Sequence, residues 1–190
     1  MRNALDHILE RWVIDPEQPS PIYLPECNRV WLAKVFKVLE FQAGAEIGTA
    51  SGNYAYSLAS RNRKAKLFCV DPYEAYDGYD DFDEASMLIN YNKARQRLKN
   101  YDNVEFIRKY SRDALDLFED GSLDYVYIDA NHAYESVLFD IENWSDRVRS
   151  GGIIAGHDYS KPGVRQAVDE MAVTPWFLLN DDETWLWVKP

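Results

Sequence analysis

Cysteine and histidine are scarce, with two and three residues in a chain of 190. Neither Cys27 nor Cys69 has a C-x-x-C partner, which leaves no disulfide framework and reads as two reduced structural thiols. Basic charge is also in deficit. Lys and Arg total 21 against 32 Asp and Glu, a formal net charge of -11, and no Lys/Arg stripe offsets it locally. Such a field repels phosphate backbones, so a nucleic-acid partner is not expected. Apolar runs stop well short of the roughly 20 residues that span a bilayer. The stretch MRNALDHILERWV carries acids inside its apolar pattern, unlike a secretory signal. The expectation is a soluble, cytoplasmic protein with no membrane partner. Internal repeats are missing too, as is the G-x-G-x-x-G fingerprint of dinucleotide binding.

What is present is an alternation of strand and helix. Five short apolar runs, AEIG, KLFCVD, VEFI, LDYVYID and GGIIAGHD, are separated by segments such as NYAYSLASRN and YESVLFDIENWSDRVR with apolar residues at three- and four-residue intervals. That order predicts parallel strands joined by right-handed helical crossovers, with both sheet faces covered. GVRQAVDEMAV reads as a last helix, and WFLLN with TWLWVKP as two strands joined by a short turn around Asp181 and Asp182. The predicted fold class is α/β, a doubly wound, mainly parallel, seven-stranded sheet. Before Phe41, RNALDHILERWV and NRVWLAKVFKVLE read as two amphipathic helices joined by DPEQPSPIYLPE, whose four prolines forbid continuous helix. The length suits one domain, residues 1–190, divided into an N-terminal helical extension, 1–42, and a core, 43–190. Trp144, on a helix stripe, and Trp185 and Trp187, on one face of a strand, read as core.

Ligands of open α/β sheets bind outside the carboxyl ends of the strands, where strand order reverses. The first strand ends in GAEIGTASGNYAYSLA, where Gly48 and Gly52 let the backbone turn tightly and helix N–H groups begin at about Asn53. The second ends on Asp71, where an acid can reach ribose hydroxyls. Each feature alone has a bland reading, a turn glycine or a capping acid. Together, on adjacent strands, they imply an adenosine-like ligand. A nicotinamide dinucleotide fits less well, because the glycines of GAEIGTASG are spaced by four with Glu46 between them.

The order Glu46, Gly48, Gly52 resembles the first motif, E-x-G-x-x-x-G, of the class I S-adenosylmethionine-dependent methyltransferases, and the resemblance runs from Ala43 to Lys189. It implies a Rossmann-like fold with an antiparallel last strand entering the sheet. It implies further that Glu46, Gly48, Thr49, Ala50, Gly52 and Asn53 lie along the methionine end of S-adenosyl-L-methionine. Asp71 would then take the ribose hydroxyls, and Ser111, Arg112 and Asp113 of YSRDAL would lie near the adenine. Enzymes that methylate exocyclic amino groups of nucleic acids typically carry an (Asp/Asn/Ser)-Pro-Pro-(Tyr/Phe) segment after the fourth strand. Here IDANH stands in that place, and it resembles the small metal-dependent O-methyltransferases of the catechol and macrolide-sugar type.

By that resemblance Asp129 contacts the cofactor and ligates a divalent metal, and His132, three residues on, is the general base. GGIIAGHDY puts His157 and Asp158 at the next strand end as two further ligands. An imidazole there departs from the family's usual pair of acids, or acid and amide, and moves the preference from Mg2+ toward Mn2+, Fe2+, Co2+ or Zn2+, which leaves the identity of the metal open. The bland alternatives are that His132 caps the helix starting near Tyr134 or bonds a loop carbonyl, that His157 bonds a loop backbone, that Asp158 caps a turn, and that Asp129 contacts the cofactor without a metal.

The expected function is metal-assisted methyl transfer to a hydroxyl of a small acceptor such as a sugar or phenol. Two other readings stay open: an NAD(P)-binding oxidoreductase or hydroxylase-like protein on a similar sheet, and a non-catalytic S-adenosylmethionine-binding protein. The acidic, aromatic segment DPYEAYDGYDDFDEAS reads either as a lid over the site or as a solvated loop. That segment, the N-terminal helices or a second subunit of a homodimer must enclose the acceptor.

Overall fold

The computed structural model describes residues 3–75 and 83–190. Tyr76, Tyr79 and Phe82, on which the lid expectation rests, lie outside the described residues. The first two helices start where the sequence supplies a cap. In α1 (Ala4–Trp12) the Asn3 side chain accepts from the N–H groups of Leu5 and Asp6, and in α2 (Arg29–Val38) Asn28 does the same for Val30 and Trp31. Between them runs a short strand, β1 (Ile22–Leu24). The chain then alternates through β2 (Ala43–Ile47), α3 (Asn53–Arg61), β3 (Lys66–Val70), α4 (Glu84–Leu98) and β4 (Val104–Ile107). α5 (Ser111–Ala114) runs into a 3-10 turn (Leu115–Leu117), followed by β5 (Leu123–Ile128), α6 (Tyr134–Arg147) and β6 (Val148–Gly156). α7 (Pro162–Met171) opens on a proline, whose missing N–H is one of the helix's unpaired donors anyway. The hairpin β7 (Trp176–Leu179) and β8 (Thr184–Val188) closes the fold.

The strands form one sheet in the order β1-β7-β8-β6-β5-β2-β3-β4. β8 is antiparallel to both its neighbours, β6 and β7, and the other adjacent pairs are parallel. The doubly wound α/β class and the late antiparallel strand are therefore as expected, but the sheet has eight strands, not seven. The extra one, β1, lies in the proline-rich link between the first helices. Its three residues are too few to show a period, and its partner is remote: Ile22 pairs with Phe177 and Leu24 with Leu179. The segment 1–42 is thus more than a helical extension, because it adds an edge strand to the core sheet.

Alternation along β5 divides the interior. Tyr125 and Tyr127 point into a cluster covered by α1, α2 and α3, whereas Val126 and Ile128 point into one covered by α5, α6 and α7. Trp144, Trp185 and Trp187 are all buried in the second cluster. Phe36 of α2 stacks on Tyr125 with ring centroids 3.9 Å apart, and Phe41 continues the stack 5.6 Å from Phe36. This stack fixes α2 on the sheet, and with it Arg29, the first residue of that helix. No helix among the described residues is long and apolar enough to cross a membrane.

Strand order reverses between β2 and β5, since the chain lays β3 and β4 on one side and then β5 and β6 on the other. The crevice at the carboxyl ends of these two strands is where such sheets hold ligands. Replacing Phe36, which is fully buried, with Ala should lower the unfolding free energy by about 3–5 kcal/mol in urea denaturation. A loss below about 1 kcal/mol would show that α2 is held in place by something other than this stack.

Candidate active site

After β2 the backbone passes hard against the end of β5. Gly48 has φ +88°, and a Cβ added there would lie 2.1 Å from the carbonyl oxygen of Asp129, so no larger residue fits. The Gly48 N–H donates to the Val70 carbonyl (2.9 Å), and the N–H of Ala50 donates to Asp71 Oδ2 (2.8 Å). The other oxygen of Asp71 accepts from the Tyr73 N–H (2.8 Å). Asp71 therefore ties the loops after β2 and β3 together, and burial raises its carboxyl above the ordinary range against the pull of these bonds. Gly52 closes the turn by donating to the Thr49 carbonyl (2.8 Å) and precedes Asn53, the first residue of α3.

Two adjoining cavities flank this turn and share Gly48, Ala50, Asp129 and Ala130. One has apolar walls, including Val70, Pro72, Met87 and Phe139, with Asp71, Ser111, Arg112 and Asp140 as polar members. The other is polar and is lined by Arg29, Glu46, Thr49, Asn53, His132 and Asp158. Three of the sequence-predicted residues line neither. Gly52 is buried beneath the turn, Asp113 is exposed on α5, and His157 lies behind Asp129 against a small void that Trp185 also lines.

Glu46 is 2% exposed, and burial holds its carboxyl well above the usual range despite the Thr49 side chain beside it. Its Oε2 is buried with no hydrogen-bond partner among the described residues. A buried acid lacking a donor is unusual and fits the α-ammonium of an amino-acid ligand. The apolar cavity next to it fits a planar heterocycle. These two features together suit S-adenosylmethionine.

The ends of β5 and β6 bring together Asp129, His132, His157 and Asp158. His132 Nε2 lies 2.9 Å from Asp158 Oδ2, and His157 Nδ1 lies 3.2 Å from Asp158 Oδ1 and 3.9 Å from Asp129 Oδ1. Asp158 adopts the left-handed backbone region, φ +57°. The bonds from His132 and His157 hold its carboxyl well below the usual range. Burial raises the Asp129 carboxyl, opposed by His157 and Arg29. Burial likewise works against the His157 imidazolium, but the bond to Asp158 and the charge of Asp129 outweigh it, and its proton affinity is raised.

The helix-capping alternative for His132 is not what the structure shows. Ala133 holds the N-cap position of α6, without a side-chain cap, and its N–H donates to Asn131 Oδ1 (2.7 Å). His157 does anchor the loop, but through its backbone: its N–H donates to the Ile128 carbonyl and its carbonyl accepts from the Trp185 indole, both at 3.1 Å. Donor atoms of Asp129, His132 and Asp158 lie within 4.8 Å of one another, the span of ligands around one ion. Carboxylate and imidazole donors in such a group suit a divalent metal.

Two members of the site escaped the sequence reading. Arg29 reaches over from α2, its Nη1 3.1 Å from Asp129 Oδ2 and its Nε 3.7 Å from Asp182 Oδ2, while its backbone N–H donates to the same Asp182 oxygen (2.7 Å). Helical periodicity carries no trace of such a contact. Asp140 on α6 is 4% exposed. Its signal was present, since it shares the buried face with Val137, Ile141 and Trp144, where an acid is out of place.

A model of the methyltransferase-domain family matches residues 45–159, which include the carboxyl ends of β2, β3, β5 and β6. The chain belongs to this family. Membership bears out the resemblance to class I S-adenosylmethionine-dependent methyltransferases and favours it over the nicotinamide alternative. Two curated relatives are uncharacterised proteins. One, from Sinorhizobium fredii, is 23% identical over 132 residues, 68% of this chain and 14% of that protein. The other, from Acanthamoeba polyphaga mimivirus, is 29% identical over 136 residues, 66% of this chain and 57% of that protein. The chain thus spans about one seventh and little more than half of their lengths. Among solved structures it is similar to a Bacillus cereus O-methyltransferase in complex with S-adenosylhomocysteine (TM-score 0.60, 17% identity, covering 100% of this chain and 92% of that one). It is also similar to a TDP-rhamnose 3'-O-methyltransferase of calicheamicin biosynthesis (TM-score 0.58, 12% identity, covering 84% and 75%). At these identities the structures show a shared fold.

Burial pushes the Asp140 carboxyl up to about 7 against the bond from Ser111. The same group ionises near 3.9 in an unfolded chain. Its contribution to stability is therefore complete below about pH 4 and is lost as the pH rises through about 7. In denaturant titrations of the ligand-free protein, wild type should lose stability relative to Asp140→Asn between about pH 4 and pH 7. A difference that does not vary with pH would show that Asp140 ionises normally.

Proposed function

We propose that this protein is an S-adenosylmethionine-dependent O-methyltransferase acting on a hydroxyl of a small acceptor, such as a sugar or phenol, with the help of a divalent metal. The observation that carries the reading is the convergence of Asp129, His132 and Asp158 on the polar cavity beside the Gly48 turn. In its support, a fold neighbour is an O-methyltransferase in complex with S-adenosylhomocysteine and another is a sugar O-methyltransferase. The net charge of -11 favours a small acceptor over a nucleic acid.

Glu46 is the acid available to the cofactor's ammonium group, Asp71 the acid available to its ribose, and the apolar cavity takes the adenine. Holding the acceptor hydroxyl in line with the sulfonium supplies much of the rate. As the C–O bond forms and the S–C bond breaks, the hydroxyl proton passes to the His132 imidazole. The positive charge gained there lies 2.9 Å from Asp158 Oδ2, which stabilises it.

Both carboxylates already have protein partners, Asp129 in Arg29 and Asp158 in His132 and His157. The Asp129 and Asp158 carboxylates are the groups that would hold the ion, with His157 beside both. When bound, the metal supplies positive charge that makes an acceptor hydroxyl more acidic. Arg29 closes the opposite side of the cavity and keeps the Asp129 carboxylate oriented.

With an acceptor identified by screening hydroxylated metabolites by mass spectrometry, His132→Ala should slow methyl transfer by roughly 100-fold or more. Its metal content and affinity for S-adenosylhomocysteine should stay near wild type. Loss of the metal together with activity would contradict the base role and make His132 a ligand. Chelation should abolish turnover of the wild type while S-adenosylhomocysteine still binds, and a borderline ion such as Mn2+ should restore activity at least as well as Mg2+. Full activity in excess chelator would contradict the metal.

A further inference from the structure

The geometry points to Asp140 as the residue that reads the exocyclic amino group of the cofactor's adenine, an inference that rests on the S-adenosylmethionine reading above. Asp140 lines the apolar cavity yet is 4% exposed, among walls that include Val70, Pro72, Met87 and Phe139. Its orientation is set by a short relay. Ser111 Oγ accepts from the Trp144 indole N–H (2.7 Å), so the Ser111 hydroxyl has its own proton to donate, and Asp140 Oδ1 takes it. Among the described residues no hydrogen bond is made to Oδ2.

A carboxyl oxygen on the wall of an apolar cavity calls for a donor from whatever fills that cavity. The adenine 6-amino group is such a donor, and carboxylates accept from exocyclic amino groups of bases elsewhere. Against the ionised carboxylate a 6-oxo purine would instead set acceptor against acceptor, so binding is compared at about pH 8, where Asp140 is ionised. A site built around a buried hydrogen bond discriminates strongly against an analogue that cannot make it. The Arg112 guanidinium, 4.3 Å over the Phe139 ring, forms the outer edge of the same wall and leaves the purine edge to Asp140.

The test is calorimetric binding of S-adenosylhomocysteine and its 6-oxo analogue, S-inosylhomocysteine, to wild type and Asp140→Asn. Wild type should prefer the adenine compound by at least about 30-fold. In Asp140→Asn the Ser111 hydroxyl keeps the carbonyl oxygen, which turns the amide NH2 toward the cavity. The preference should fall below about 3-fold or reverse. An unchanged preference in Asp140→Asn, with S-adenosylhomocysteine still bound, would overturn the assignment alone. Failure of wild type to bind S-adenosylhomocysteine at all would overturn the cofactor reading and this inference with it. Should Asp140→Asn not fold by circular dichroism, Ser111→Ala, which removes the orienting hydroxyl, decides the matter: a narrowed preference supports the assignment and an unchanged one overturns it.

Discussion

The pairing of Asp129 with Arg29, at 3.1 Å over the carboxyl end of β5, is the interaction on which the arrangement of the site depends. A carboxylate that burial pushes toward protonation must be given cations or be lost as a charge. Asp129 receives Arg29 on one side and His157 on the other. Arg29 in turn is tied to Asp182, in the turn between β7 and β8, through both its side chain and its backbone N–H. Three distant parts of the chain therefore meet at one carboxylate: the second helix, the central strand and the final hairpin. Arg29 and Asp129 keep a third and about a fifth of their side-chain surface exposed, so the pair contributes modestly to stability. Its consequence is positional, because it decides which carboxylate oxygen faces inward.

From that point the crevice divides by polarity. On the α6 side, apolar walls surround two buried acids, Asp71 and Asp140, each already holding a donor from the protein. On the α3 side, Glu46 faces Arg29, His132 and Asp158 around a polar space. The Gly48 turn is the partition, and the 2.1 Å contact that a Cβ would make with Asp129 shows how closely the two sides are joined. One ligand spanning the partition would have a flat apolar end and a charged end, which is the form of S-adenosylmethionine.

Much of this was legible in the sequence because strand-end chemistry is local. Glu46, Gly48 and Asp71 announce themselves by where the apolar runs stop, and Asp129 and His132 by the resemblance that IDANH carries. The α/β alternation follows from each helix needing one face to bury. Long-range pairings were not legible. β1 is three residues between prolines and becomes a strand only because β7 offers an edge. Arg29 looks like any first-turn residue of an amphipathic helix, and its partner lies 100 positions away. The resemblance puts Asp113 near the adenine with Ser111, but α5 is only four residues long and Asp113 is exposed on it, while the buried acid of that wall comes from α6. An acid on an apolar helical stripe is a signal that periodicity alone records as noise.

The measurement that tests the account most directly is a crystal structure with S-adenosylhomocysteine and Mn2+. The account predicts the adenine against Phe139, the homocysteine ammonium on Glu46, and an anomalous manganese peak beside the carboxylates of Asp129 and Asp158. A ligand bound away from the β2 and β5 strand ends, or manganese bound elsewhere with these carboxylates held only by Arg29 and the two histidines, would contradict it.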